Sequence, residues 1–576
     1  MRTCRLTPTV ARSSLILYRL SWAASVGGGA VSGLEMAQES QRLQWSRREI
    51  DDDLRSTMTA IHAQVREAAD QYGGGQLRSW CECRRFPQGR RCDARSVERM
   101  TARPVTRPAA LKEEALIVLI RGGVVVDVQG ERPADLRIGS DGRVSELRRG
   151  LDVLPGELVH DASGKLVIPG GIDAHTHLNM PVGTLRVSDD FVSGTRAAAI
   201  GGTTSVIDYV TVARGEDPMA TVATWHSWAE PSVIDWGLHL TFTEAVPESV
   251  VAAGVEKGIT SFKLYLAYPD RLQVDDGTIV RLMRAARRHG VLVTLHCENG
   301  GAIEELRREA LAAGRTGVIE HARTRPAVLE GEAVGRAAAL AELTGASIYV
   351  VHVSSAQALA AVRAARERGV DVKAETCPQY LYLDSSRLEG PDAIDFVCTP
   401  PLRDPWHAEE LWEGMARGYI HTVATDHCPF WRADRRAGVA GKPGGVTDFT
   451  DIPGGLPGIE TRLALVWQGV RSGRITTADW VRLCAEAPAR TFGLWPRKGS
   501  LAVGADADVV VWDPQRRQPL GAADLDMAVD HSPYEDMVSI GWPELVLSRG
   551  HPVAVDGQFT GEPGWGRYLA RAPLDP

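Results

Sequence analysis

The sequence contains no run of about 18 or more apolar residues, the length a membrane-spanning helix requires, so no membrane partner is expected. It has no basic excess either. Lys and Arg number 65 against 73 Asp and Glu, a net charge of −8, which gives no footing for nucleic acid. A disulfide framework is missing as well. The nine cysteines follow no regular spacing, and Cys297, Cys377, Cys398, Cys428 and Cys484 are scattered through apolar segments, as in a reduced cytoplasmic protein. What remains is ordinary globular material: 44% hydrophobic and 24% charged over 576 residues, enough for a sizeable core and more than one domain.

Residues 1–115 do not read like the rest. No acidic residue precedes Glu35, a superficial likeness to a transit peptide. Ser25 to Trp45, followed by an amphipathic pattern from Glu49 to Tyr72, resembles the C-terminal end of a glutamate dehydrogenase. No nucleotide-binding Gly-rich turn or catalytic lysine segment accompanies it, and a fragment that short neither folds nor works alone. It reads as a gene-fusion remnant or a mis-set start. Cys81, Cys83 and Cys92 lie in an Arg-rich patch that reads as an irregular tail rather than a metal cluster. The stretch from 74 to 115 reads as a disordered linker. The whole extension is therefore expected to be partly disordered and non-catalytic.

Order resumes at Ala115-Leu-Ile-Val-Leu-Ile. Short β-branched runs separated by Gly- and Pro-containing turns give an all-β signature, which returns at Gly499–Trp512 and Leu545–Val555. Neither half closes a sandwich alone, so the two ends are expected to pair into one small β domain, residues 116–168 with 499–562. Between them, over 169–498, eight apolar strands alternate with amphipathic helix patterns such as Thr278–His289 and Ala356–Arg368. The predicted fold class is α/β, a (β/α)₈ TIM-type barrel flanked by that β-sandwich, with a C-terminal tail at 563–576. In such a barrel the active site lies at the strand C-terminal ends.

The polar residues fall at those ends. Leu166-Val-Ile-Pro-Gly-Gly-Ile-Asp-Ala-His-Thr-His-Leu178 carries His175 and His177 two residues apart, on one face of a strand. Alone, the pair is open to a plain reading as surface or hydrogen-bonded histidines. Lys263 interrupts the apolar Ser261-Phe-Lys-Leu-Tyr, His296 ends Leu292-Val-Thr-Leu-His, His352 ends Tyr349-Val-Val-His, and Asp426 ends Val423-Ala-Thr-Asp. Six such residues on five strand ends point to a metal centre, since neutral imidazole is a good metal ligand and an unpaired buried one is costly.

This set resembles the amidohydrolase superfamily, and within it the dihydropyrimidinase and D-hydantoinase group. Asp189–Thr204, Phe262–Tyr268, Thr399-Pro-Pro-Leu-Arg403 and Gly541–Gly550 carry the likeness, which runs from about 117 to about 570. The resemblance implies one zinc held by His175, His177 and Asp426 and a second by His296 and His352. It also implies a carbamate on Lys263 (N6-carboxylysine) bridging the two. An ammonium between two dications is strongly disfavoured, whereas the neutral amine can take up CO₂. A hydroxide bridging the zincs would attack a ring carbonyl of a cyclic diamide. Asp426 would move the proton to the departing ring nitrogen, and Tyr268 would stabilise the oxyanion. Thr399 and Gly454 match positions whose backbone contacts the substrate; the group usually has Ser and Asn there. Cys428, two residues past Asp426, reads as a packed thiol and not a nucleophile. The loops Pro181–Val187 and Tyr268–Val274 are expected to line the pocket for the ring substituent. Allantoinase shares the metal set, but Asp190, Phe191 and Tyr268 favour the hydantoinase side. Metal-free scaffold relatives lack the ligands kept here. The resemblance also implies a homotetramer.

Overall fold

The computed structural model describes residues 117–269, 271–441 and 445–574. The transit-peptide, dehydrogenase and cysteine-patch readings of residues 1–115 lie outside the described residues. Eight parallel strands make the central sheet: β1 (Gly171–Thr176), β2 (Thr203–Val210), β3 (Asp235–Thr241), β4 (Ser261–Tyr265), β5 (Leu292–His296), β6 (Ile348–Val350), β7 (Val372–Thr376) and β8 (Thr422–Val423), each hydrogen-bonded to the next. The sheet closes through a parallel bridge from Thr176 to His427, where the His177 amide donates to the His427 carbonyl at 3.0 Å. Every residue of β1, β2 and β3 is buried. Helices cover the outer face and side chains fill the inner one, so these strands read as continuous apolar runs rather than alternating ones.

The helices follow their patterns. Asp276–Arg288 is capped by Asp275, whose carboxylate accepts from the Thr278 amide, and its buried Ile279, Leu282, Met283 and Ala286 repeat at helical spacing. Ala356–Glu367 starts at Ser355, whose hydroxyl accepts from the Ala358 amide. These caps satisfy amides that a helix start otherwise leaves free.

The β segments flanking the barrel do meet. Leu166–Pro169 lies between Val124–Asp127 and Val509–Pro519 in a seven-stranded sheet. Val509–Trp512 runs antiparallel to it in register. A four-stranded sheet built on Val118–Arg121 accompanies it. Ile120, Val125, Leu136, Val167, Val509, Val511 and Leu547 form the shared core. Gly170 then carries the chain from sandwich to barrel, and a Cβ there would collide with Thr204. The tail is docked, not loose. The Leu569 amide donates to the Trp236 carbonyl and the Leu574 amide to the Gly290 carbonyl, both at 2.7 Å, while buried Arg571 donates to Ser261 Oγ at 2.7 Å. Among the described residues no helix is long and apolar enough to cross a membrane.

Candidate metal centre

Six polar side chains converge where the strands end. His175 is in β1 and His177 one residue past it; Lys263 is central in β4; His296 is the last residue of β5. The other two differ from expectation. β6 stops at Val350 and β8 at Val423, so His352 and Asp426 lie beyond the strands, in left-handed backbone with φ of 39° and 52°. Such a conformation costs about 1–3 kcal/mol at a non-glycine residue and persists only where the surroundings enforce it. They do so here. Thr425, before Asp426, donates to the Asp173 carboxylate at 2.6 Å, and His427, after it, pairs with Asp189 at 3.1 Å. The His352 amide donates to Glu375 at 3.1 Å, and Ser354 donates twice to Glu330.

The Nε2 atoms of His175 and His177 lie 3.1 and 3.2 Å from the same Asp426 oxygen. Candidate ligand atoms of these three residues all fall within 4.8 Å of one another. His296 Nδ1 faces His352 Nε2 at 2.9 Å. The four imidazoles form a chain, with ring centres 5.3 Å apart from His177 to His175, 5.5 Å on to His352 and 4.7 Å on to His296. The Lys263 amine stands beside them, 4.8 Å from the Tyr209 ring centre and 5.2 Å from that of Tyr265.

Carboxylates behind the rings set the tautomers. His175 Nδ1 donates to Glu375 at 2.7 Å, which leaves Nε2 to face Asp426. Tyr349 holds the other Glu375 oxygen at 2.7 Å. His296 Nε2 donates to Glu298 at 2.8 Å, which frees Nδ1 toward His352. Metal-binding histidines are oriented in this way.

Burial pushes His296 and His177 down, and His352 far down, so they are held as neutral imidazoles, the ligand form. Burial also pulls on His175, but Glu375 and Asp426 outweigh it and raise that ring to about 9. Burial opposes ionisation of Asp426, yet His175 and its neighbours hold that carboxyl well below its usual range. This corner thus favours added positive charge. Lys263 is brought down by burial to about 8, against the upward pull of Asp426 and Glu375. Four imidazoles, an ionised carboxylate and an amine whose pKa is lowered by burial fit a pair of divalent cations.

A cavity of about 350 Å³ opens over the centre. Pro181, Val182, Tyr268 and Leu272 from the two expected loops line it, with Thr399 and Gly454. A Cβ on Gly454 would meet Thr399 Oγ1 at 3.0 Å, so a larger residue at 454 would press on its neighbour. Tyr268 has φ of 66°; its phenol is raised by burial, with Arg325 and Thr399 pulling the other way. Cys428 is buried against Val187 and Phe430 with its thiol pushed far up by burial, as a packed thiol is. Glu298, Arg325 and His321 were missed in the sequence. Glu375 was missed as well, since nothing in its local sequence ties it to His175.

Residues 166–553 match the family model described as "Amidohydrolase family", and the chain belongs to that family. Membership implies a binuclear divalent-metal centre. The D-hydantoinase of Geobacillus stearothermophilus is 46% identical over 462 residues, 79% of this chain and 96% of that protein. The D-hydantoinase of Streptomyces coelicolor is 43% identical over 463 residues, 79% of this chain and 98% of that one. The crystal structure of dihydropyrimidinase from Brevibacillus agri matches with a TM-score of 0.77 at 41% identity, covering 80% of this chain and 100% of its own. Residues 9–82 separately match the Glutamate/Leucine/Phenylalanine/Valine dehydrogenase model.

Proposed function

We propose that this chain is a metal-dependent hydrolase that opens the cyclic amide of hydantoins and dihydropyrimidines. The observation that carries the reading is Lys263, a buried lysine with no ion pair among the described residues, set among four histidines and an aspartate beneath a cavity of about 350 Å³. We assign His175, His177 and Asp426 to one zinc, His296 and His352 to the second, and Lys263, as its carbamate, to both. Two divalent ions, when bound, acidify a water at neutral pH and draw charge onto a carbonyl oxygen. Asp426 then accepts the water's proton and delivers it to the leaving ring nitrogen. The Tyr268 hydroxyl donates to the oxygen on which negative charge develops. Backbone groups of Thr399 and Gly454 hold the ring, and the Cys428 thiol takes no part.

The relatives' names support this substrate class. Allantoinase is the competing reading; a scaffold role fits poorly with a complete ligand set. Turnover of dihydrouracil, 5-substituted hydantoins and allantoin, with metal content measured on the same sample, is the test. Opening of hydantoin and dihydrouracil at two metals per chain is expected; turnover of allantoin alone would replace the assignment.

We also read the chain as a cytoplasmic homotetramer, in keeping with its buried free cysteines and its resemblance; sedimentation checks the assembly. Residues 116–168 with 499–562 and residues 169–498 are taken as the two structural units. The first 115 residues are assigned no catalytic part, because the family match runs over residues 166–553 and 79% of this chain spans nearly the whole of each relative. A chain beginning near Arg107 should turn over like the full one.

A further inference from the structure

Arg325 touches both halves of the proposed chemistry. It is buried, and its guanidinium donates to Glu298 at 2.6 Å. The same Glu298 oxygen accepts from His296 Nε2 at 2.8 Å. The guanidinium carbon also lies 5.3 Å from the centre of the Tyr268 ring, and that ring is 5.4 Å from His296. Arg325, Glu298, His296 and Tyr268 therefore form a closed circuit of contacts beside the cavity.

The backbone of Tyr268 is already held. The amides of Arg271, Leu272 and Gln273 converge on its carbonyl at 3.0 Å, and Arg214 donates to the carbonyls of Pro269 and Gln273 at 3.1 and 2.8 Å. These bonds place the Cα atom; they leave the ring free to swing about its side-chain torsions. A planar guanidinium against an aromatic ring restricts that swing, and an ammonium does so less well because it is a compact point charge. The guanidinium is itself held: Arg403 bonds the Arg325 carbonyl, and Glu298 fixes the charged end.

We propose that Arg325 is a positioning residue that sets the Tyr268 ring at the angle from which its hydroxyl reaches the substrate's carbonyl oxygen, using the carboxylate that also orients His296. This rests on the reading of Tyr268 as the oxyanion donor. A purely structural role for Arg325 would be to neutralise Glu298, and a lysine would serve that purpose.

The test is a double-mutant cycle on the full-length, metal-loaded protein, with hydantoin as substrate and kcat, KM and metal content measured together. Arg325→Lys should lose up to about 10²-fold in kcat, the order expected when a reacting group is misplaced by about 1 Å, with KM within about twofold and metal content unchanged. In the Tyr268→Phe background the same change should cost less than about twofold, because coupled residues are not additive. Equal losses in both backgrounds, or no loss in either, would overturn the role of Arg325 alone. Normal turnover by Tyr268→Phe itself would overturn the oxyanion reading instead. Should Arg325→Lys fold poorly, Arg325→Gln, which can still donate a hydrogen bond to Glu298 and leaves the His296 partner in place, replaces it, and the same cycle then decides.

Discussion

Lys263 and Lys498 are equally buried, each about 1% exposed, in opposite surroundings. Lys498 donates to Asp235 at 2.6 Å and to Asp508 at 2.7 Å, with Asp506 at 3.1 Å. Asp235 opens β3, so this cluster lies at the N-terminal end of the barrel, against the sandwich. Lys263 has aromatic rings beside it and no ion pair among the described residues. A buried charge is tolerated where it is paired and is driven toward neutrality where it is not. The same side chain is thus a paired cation at one end of the barrel and, in the function proposed, the carbamate-forming amine at the other.

The sharpest way to break this comparison is to remove the reactive lysine. Lys263→Ala should keep its fold, bind metal poorly and lose more activity than the roughly 10²–10³-fold cost of deleting one active-site electrostatic group. A short carboxylic acid with zinc should restore part of it. Lys263→Arg should not be rescued, since Arg keeps its charge and fills the space. An intact mass showing unmodified Lys263 in active enzyme would remove the carbamate from the site.

Asp426→Asn should follow, with much of the metal retained and about 10²–10⁴-fold of turnover lost, because an amide cannot relay a proton. Near-normal rates with intact metal would assign the relay elsewhere. At the other end, Lys498→Met strands three carboxylates and should destabilise the fold by about 3–5 kcal/mol without altering metal per folded chain. Denaturant unfolding together with metal analysis separates the two lysines.

The smallest effect concerns pH. In metal-stripped protein the Lys263 amine gives up its proton near 8, against an ordinary value of 10.5. Between those values the unfolded chain holds the extra proton, so stability rises with pH across that window, by about 1.4 kcal/mol for each tenfold change in acidity. The cost of burying the charge is complete below about 8 and is relieved above it. Unfolding midpoints across the window, with Lys263→Met as reference, should rise more steeply with pH in the parent protein than in the variant, since His175, raised to about 9, contributes the opposite slope in both.

Much of the architecture was legible from local pattern. Apolar strands alternating with capped helices such as Asp276–Arg288 announce a barrel because periodicity and capping are properties of neighbours in the chain. His175 and His177 share a strand face for the same reason, and Lys263 stood out because an unpaired charge in an apolar strand contradicts its surroundings. That residues 116–168 and 499–562 belong to one β domain is expected from two half-sheets that each lack a partner; that Leu166–Pro169 pairs with Val509–Trp512 is seen only in the structure.

Partners distant in sequence were not legible. Glu375 is 200 positions from His175, and Glu298 lies 27 from Arg325, yet these pairs choose which imidazole nitrogen faces the metal centre and where a phenol is held. Nor does any local signal predict left-handed backbone at His352 and Asp426, since its cost is met by bonds to Glu375 and Asp173 from other strands. The sequence by itself determined which residues gather at the barrel mouth, because strand order and side-chain alternation are written locally. Only the tertiary structure decided their protonation and orientation, because burial and charge depend on neighbours that the chain brings together by closing the barrel.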